Sequence, residues 1–556
     1  MNKKSLFILL FFLLTNFVGW AQDPLLDIME KELKREFTEF KKQEIPPYFM
    51  SYRVGEQSTV SISGSFGCLV QVNRSKIRQL TTMIRVGSPE LDNYHETKGS
   101  GSPMSQSIAQ LPLENDKDAI NLIIWKNTND LYFKSTEKLA QIKASQNVSV
   151  PNEDKSPDFC MGPAEKYCDP IINNTLDKVQ EENLKNKVRL YSQSFTQRKD
   201  ILEGSVNFQI INGRDYFVSS EGSKIAENHP HINLMISAYV LAEDGMELRL
   251  YKSYFATDIL DLPKDEVVLA DISALVKKLE ELKNAPVVEP YTGPALLSGE
   301  AAGVFFHEIF GHRVEAARMK NESDPQTFKG KVGQQVLNPN LSVFFDPTIS
   351  TYKGFKLSGS YNYDDEGTKS QRVNVVDKGI LTDFLCNRTQ INGFSKSNGH
   401  GRAADGRKPV SRQSNLIVES DKAYTEKELR QSFIEELKKQ NLEYGFYFKA
   451  VSGGFTLTGR FYPNAFNVTP LEVYKVYTDG NPDELVRGIN LVGTPLAMFS
   501  EIEAVGGDPG LFVGTCGAES GGVPVSSVCP MLFVKKIEIQ KKSKSNNTKP
   551  ILDRPI

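Results

Sequence analysis

Residues 298–320 read SGEAAGVFFHEIFGHRVEAARMK, and the organisation of the second half of the chain turns on them. Ser298 suits a helix N-cap, Glu300 the first turn, and Arg318 with Lys320 the last turn. The spacing predicts a helix over 299–319. Ala301, Ala302, Val304, Phe305, Phe306, Ile309, Phe310 and Val314 leave it almost no polar face, so it belongs inside a core. Yet His307, Glu308 and His312 lie in its middle. Burying such a cluster costs several kcal/mol unless each member has a partner, and a metal ion supplies one.

The motif is H-E-x-x-x-H. At i and i+4 two imidazoles lie roughly 40° apart around a helix and can share an ion; at i and i+5 they lie roughly 140° apart. A bulge or break between His307 and His312 is therefore required, and Gly311 is placed to ease it. Two imidazoles hold zinc poorly, so a third protein ligand is needed, with a fourth position left for water. The residues offer three candidates: Glu315 on the same helix, His400 in SNGHGR, and Cys516 in VGTCG, where flanking glycines let the backbone come close.

Outward from this helix toward the C-terminus, strands and Gly-rich turns run to about Ile539. Asp377-Lys-Gly379 and Asp479-Gly480 mark hairpin turns, and helical stretches interrupt near 425–440 and 496–503. Residues 286–540 read as a β-rich, barrel-like domain built around the one buried helix. Toward the N-terminus, Leu25, Ile28, Met29, Leu33, Phe37 and Phe40 mark an amphipathic helix over 25–44. Short β-runs from Tyr48 to about Val86, broken by Gly64, Gly67 and Asn73-Arg74, predict an antiparallel meander. Helices are expected over 116–145, up to about Lys199, and over 263–284. Strands with an Asn212-Gly213 turn precede Tyr254, and 146–175 reads as a Pro- and Asp-rich loop. Residues 22–285 thus form an α+β domain, and the fold class is α+β throughout.

The first 21 residues have the layout of an export signal: Lys3 and Lys4, an apolar run Leu6–Val18, then Gly19-Trp20-Ala21. Cleavage before Gln22 is expected, giving a periplasmic or secreted chain with no lipid-anchor Cys and no later membrane span. The polar tail 541–556 is expected to be disordered. With 66 Lys+Arg against 69 Asp+Glu and a pI near 6.2, the 556-residue chain lacks the basic surface of a nucleic-acid binder. Of six cysteines, Cys160 and Cys168 flank a Gly-Pro loop and are a candidate disulfide; Cys68, Cys386, Cys516 and Cys529 are scattered.

HEIFGH at 307–312, YDDEGTKSQRVNVVDKGILTDFL at 363–385, SNGHGR at 397–402 and GTCG at 514–517 occur in the order found in the TldD/PmbA metallopeptidases. The chain resembles that family over most of 285–540. The resemblance implies the catalytic, HExxxH-bearing TldD type: His307, His312 and Cys516 as zinc ligands, and Glu308 as the catalytic carboxylate. It also implies a dimer, with itself or with a PmbA-type subunit, enclosing the site in an internal cavity. Two segments depart from the family pattern. The glycine-rich lead-in is reduced to Ser298-Gly-Glu-Ala-Ala-Gly303, and Ala518-Glu519-Ser520-Gly521 replaces the usual Lys and Gln.

The expected activity is zinc-dependent hydrolysis of peptides or unfolded segments, with Glu308 as general base. The alternatives are a metal-stabilised, non-catalytic partner of a peptidase and a metallohydrolase of another acyl substrate. Weaker signals complete the reading. His400 is a candidate for assisting the oxyanion, or else fixes a Gly-rich turn. Asp364, Asp365 and Glu366 form an acidic turn read as solvated, with Asp365 the candidate contact for a peptide N-terminus. Arg402, Arg407 and Arg412 read as a solvated basic loop, and His229-Pro-His231 as exposed loop histidines.

Overall fold

The computed structural model describes residues 23–95, 107–145, 154–172, 176–320, 326–456, 466–493 and 498–542, with 548, 551, 552, 554 and 555 of the tail. The leader expected at 1–21 lies outside them. No helix among the described residues is long and apolar enough to cross a membrane.

The N-terminal half is built on two long hairpins. Strand β1 (Pro47–Ser65) pairs antiparallel with β2 (Cys68–Ser88) and, on its other edge, with β3 (Ile201–Ser219). β3 returns as β4 (Lys224–Leu241), which pairs with β5 (Glu247–Ala256). Helices α1 (Pro24–Phe40) and α2 (Lys117–Ser145) share a core with the first hairpin, while α3 (Lys178–Gln193) and α4 (Asp265–Asn284) cover the second.

Two sequence expectations fail here for one reason. The meander over 48–86 is a single hairpin: Gly64 stays in the ladder, and the chain turns only at Phe66 and Gly67, both at positive φ. Asn212-Gly213 does not turn; these residues pair in register with Pro230 and His229 inside β3 and β4. In a strand bonded on both edges, ladder hydrogen bonds override a local turn preference. His229 and His231 accordingly sit on a strand, not in a loop. Part of the 146–175 loop also joins the sheet, since Lys166–Cys168 pairs parallel with β4.

In the C-terminal half, β6 (Tyr291–Leu297) pairs parallel with β7 (Tyr444–Thr456), which pairs with β8 (Phe466–Tyr477), then β9 (Ile489–Gly493). Strand β10 (Ile502–Ala518) pairs with the first part of β11 (Gly521–Lys541). β11 pairs with β9 on one side and with β6 on the other, closing the sheet into a ring. Helix α5 (Gly299–Ile309) packs against β11, β10 and β7. It shares a core with Ala295, Leu297, Phe446, Phe448, Leu532 and Val534. The expected helix over 425–440 is α6 (Glu426–Lys439), begun by a Thr425–Glu428 capping box. Of the stretch expected to be helical at 496–503, residues 496 and 497 lie outside the described set, Met498 and Phe499 are helical, and Ile502 already begins β10.

The halves interlock. Arg53 on β1 donates to Asp365 Oδ1 (2.7 Å) and to the carbonyls of Ala403, Ala404 and Arg407. A side chain at Gly55 would overlap the Asp405 carboxyl group, so the bare backbone lets this loop lie on β1. Phe159 is held between the guanidinium groups of Arg85 (4.0 Å) and Arg388 (4.1 Å). In the tail, expected to be disordered, Arg554 donates to Ile201 O (2.8 Å) and covers the Phe66 ring.

Candidate metal centre

Helix α5 is positioned by close backbone approach. Its cap residue Ser298 accepts a hydrogen bond from Ala301 N, and a Cβ on Gly299 would lie 2.1 Å from Gly510 N and 2.5 Å from Cys529 O. Every residue from Ala301 to Ile309 is buried. The helix predicted to reach 319 stops at Ile309. Phe310 ends it, and single turns of tighter 3₁₀ helix follow at Gly311–Arg313 and Ala316–Met319. The break required by the i,i+5 spacing therefore lies between the two histidines. Two side chains sustain it. Arg313 Nη1 donates to the carbonyls of Glu308 and Ile309 (both 2.9 Å), satisfying the helix end. Gln413 Nε2 donates to His307 O (3.2 Å), and its side chain fills the place a Cβ on Gly311 would need.

The break brings His307 and His312 together, their ring centroids 5.1 Å apart, and Cys516 arrives from the end of β10. One potential ligand atom from each of the three lies within 4.8 Å of the others; Cys516 Sγ is 3.5 Å from His312 Nε2. All three are buried, and Glu308 beside them is 7 % exposed. Glu315 is not in this trio. It stands behind His312, whose Nδ1 lies 3.1 Å from Glu315 Oε2, directing Nε2 toward the convergence point. The same oxygen accepts from Arg318 Nε (2.7 Å). Arg412, fully buried, faces Glu315 and donates to Cys516 O (2.5 Å), Ser520 Oγ and Gly521 O. One guanidinium thus ties the support of His312 to the loop that carries Cys516.

Charge follows this arrangement. Burial opposes ionisation of Cys516, but His307 and His312 outweigh it and hold the thiol well below its ordinary pKa. Burial likewise opposes the His312 imidazolium, yet Glu315 and Cys516 hold its pKa up at about 10. Glu315 is also penalised by burial; His312, Arg318 and Arg412 nonetheless keep it ionised, at about 2. Burial raises Glu308, with the two histidines pulling it partly back. A thiolate and two imidazoles are the donor set of a tetrahedral site with one position open. The buried Nδ1 of His307 has no hydrogen-bond partner among the described residues. The donors fit a metal ion of the zinc type.

The cluster opens on a cavity of about 1830 Å³ between the halves. Its far wall comes from β4, β5 and α4, including His231, Tyr251, Tyr254 and Lys278; its near wall includes Glu300, His307, Glu308, His312, Arg318 and Phe512 to Glu519.

Other site expectations are placed elsewhere. His400 is fully buried with Nε2 3.1 Å from Ser414 Oγ and Nδ1 3.2 Å from Asn398 O, and burial lowers its pKa to about 3. It anchors a turn behind the cavity. Asp365 binds Arg53 and accepts from Ala403 N (2.7 Å) in the joint between the halves. The acidic turn is not solvated: Asp364 and Glu366 are buried, accepting from backbone N–H groups of Gly401, Thr368 and Arg388. Arg402 and Arg412 are also buried, leaving only Arg407 of that set exposed. Cys160 and Cys168 are both free thiols, not a disulfide. The roles of Arg313, Arg412 and Gln413 were not read from sequence, because their spacing from the motif carries no period.

Residues 290–541 match the family described as PmbA/TldA metallopeptidase C-terminal domain. A metalloprotease of Methanothermobacter thermautotrophicus is 28 % identical over 345 residues, 60 % of this chain and 69 % of that one. A protein of Saccharolobus solfataricus named zinc metalloprotease TldD homolog is 24 % identical over 416 residues, 73 % of this chain and 86 % of the relative. The crystal structure of TldE from Thermococcus kodakarensis superposes with a TM-score of 0.60 at 14 % identity, covering 92 % of this chain and all of that one. The matched domain and the names of these relatives define the class as metallopeptidase, and the superposition shows the shared fold. Residues 290–541 carry the C-terminal domain of the PmbA/TldA metallopeptidases.

Proposed function

We propose that the protein is a zinc-dependent peptidase acting on peptides or unfolded segments that enter the cavity. One observation carries this reading: His307, His312 and Cys516 bring ligand atoms within 4.8 Å of one another on the wall of a large cavity, with Glu308 beside them. Zinc held by these three would polarise the scissile carbonyl and acidify water, the usual service of such an ion. The name of the Saccharolobus solfataricus relative supports the choice of metal.

Glu308 supplies the proton chemistry. Burial lifts its pKa above the ordinary carboxylate value, moving it toward the range of an effective general base. It takes a proton from the attacking water as the oxygen bonds to the peptide carbon. It then passes that proton to the amine nitrogen as the C–N bond breaks. Glu315 orients His312 and Arg412 holds the Cys516 loop, so neither needs to touch substrate. The leader-like N-terminus supports an exported protein, and the family supports a pair with itself or with a PmbA-type subunit.

The test is metal analysis of purified protein together with digestion of a peptide library, repeated on Glu308→Ala. About one zinc per chain and cleavage abolished by the substitution are expected. A wild-type protein that holds zinc but cleaves no peptide would overturn the proposal.

A further inference from the structure

We infer that Arg318 receives the C-terminal carboxylate of the substrate, so that the protein removes short pieces from free peptide C-termini; this rests on the peptidase reading above. Arg318 lines the cavity with His307, Glu308 and His312. Its guanidinium is fixed by Nε, which donates to Glu315 Oε2 at 2.7 Å, the oxygen that lies 3.1 Å from His312 Nδ1. Two short contacts thus separate this cation from a metal-ligand candidate. Among the described cations of the cavity wall, it is the one linked to the donor cluster through a single carboxylate, Glu315.

On its other edge, Arg318 Nη2 donates to Glu519 Oε2 at 3.1 Å. The partners differ sharply in exposure: the Arg318 side chain is 11 % exposed and that of Glu519 51 %. An ion pair with one half-exposed member contributes at most about 1 kcal/mol, so Glu519 is readily displaced. A carboxylate here shows what the guanidinium edge binds, and a peptide terminus offers the same group with the same planar geometry. Glu519 lies three residues after Cys516, on the loop that would border the cleaved bond, and holds the place until substrate arrives.

The geometry also sets the length of the product. The two contacts, of 3.1 and 2.7 Å, hold Arg318 Nε within about 5.8 Å of His312 Nδ1, fewer than two extended residues before the widths of the two side chains are added. A peptide whose terminus sits on Arg318 is therefore cut one to three residues from its C-terminus.

The experiment uses zinc-loaded Glu308→Gln protein and pairs of unstructured peptides identical except for a free or amidated C-terminus. Binding is measured by calorimetry, and wild-type products are read by mass spectrometry. The free acid should bind about tenfold tighter than the amide, the scale of one charge-assisted contact. Glu519→Gln, added to the same background, should tighten binding of the free acid several-fold and leave the amide unchanged. Arg318→Gln should erase the discrimination, with zinc content measured alongside. Wild-type enzyme should give ladders that shorten from the C-terminus. Equal binding of acid and amide, or cleavage confined to interior bonds of both, would overturn the inference while leaving the peptidase reading intact. Failure of wild-type enzyme to cleave either peptide would instead strike the peptidase reading, because the acid–amide comparison is a binding measurement.

Discussion

In the proposed mechanism Glu308 moves protons without holding the ion, so the two functions should separate. Glu308→Ala should retain zinc and lose activity by about 10²–10⁴-fold, read from metal content and turnover on one preparation. Glu315→Gln should do the reverse: by freeing the His312 ring it should weaken zinc binding about 10–100-fold in a chelator competition. A third residue, far from the site, sets a pH dependence. Glu36 is buried against Tyr52, which donates to its Oε2 at 2.5 Å, and burial raises its pKa to about 7. A carboxyl group whose folded pKa is raised binds its proton more tightly folded than unfolded. Its contribution therefore favours folding at low pH and declines as pH rises from about 4.5 to about 7. Glu36→Gln should raise the melting temperature at pH 8 and make little difference at pH 4; an equal shift at both values would refute the assignment.

At this scale the sequence was informative about the cluster and poor about its supports. His307, Glu308 and His312 stood out because ionisable residues inside an apolar run demand partners. Cys516 was one of three open candidates on the residues alone, and only the resemblance chose it. His400 and Asp365 looked available because loops rich in Gly and Asp are usually wet. Here Asp365 meets Arg53 of the opposing half, and His400 is buried against Asn398 and Ser414 of its own half; none of these partners is local to an apolar or helical pattern.

Among the elements, α5 depends on the absence of side chains where its first residue, Gly299, meets Gly510 of β10. Gly510→Ala would push a methyl group to 2.3 Å from Glu300 N, against backbone that cannot swing away. It should destabilise by roughly 3 kcal/mol or more and lower zinc occupancy with it, checked by thermal melts with and without added metal. Ser298→Ala, by contrast, should cost about 1 kcal/mol and leave the site assembled. Helix positions were legible because apolar period and caps agree, as in α6 with its Thr425 capping box. Strand lengths were not. Gly64 and Asn212-Gly213 carry real turn preferences, and pairing along β1–β2 and β3–β4 overrules them through contacts distant in sequence.

In the whole molecule, the joint between halves concentrates on Arg53. Arg53→Leu would leave Asp365 and three loop carbonyls without their donor and should cost about 3–5 kcal/mol, because one partner of a largely buried pair remains uncompensated. Calorimetry should then show two separated unfolding transitions in place of one. In the sequence, the change in pattern near residue 285 is what sets the expected division into two domains. The cavity between the halves was not legible, since its far wall at Tyr251 to Phe255 lies more than fifty residues from the histidines it faces.

The ring of strands has a temporal consequence. β6, near residue 291, finds one of its two neighbours only in β11, the last long strand to be synthesised, and Cys516 precedes that strand by five residues. A growing chain can complete α1 to α4 and even extend both histidines into solution. It can neither seat α5 nor bring the sulfur to them until the chain has emerged to about residue 541. The destructive chemistry of the molecule is thus withheld from its own half-made copies. It becomes possible only at the moment when the polypeptide has no unfolded segment of that domain left to offer.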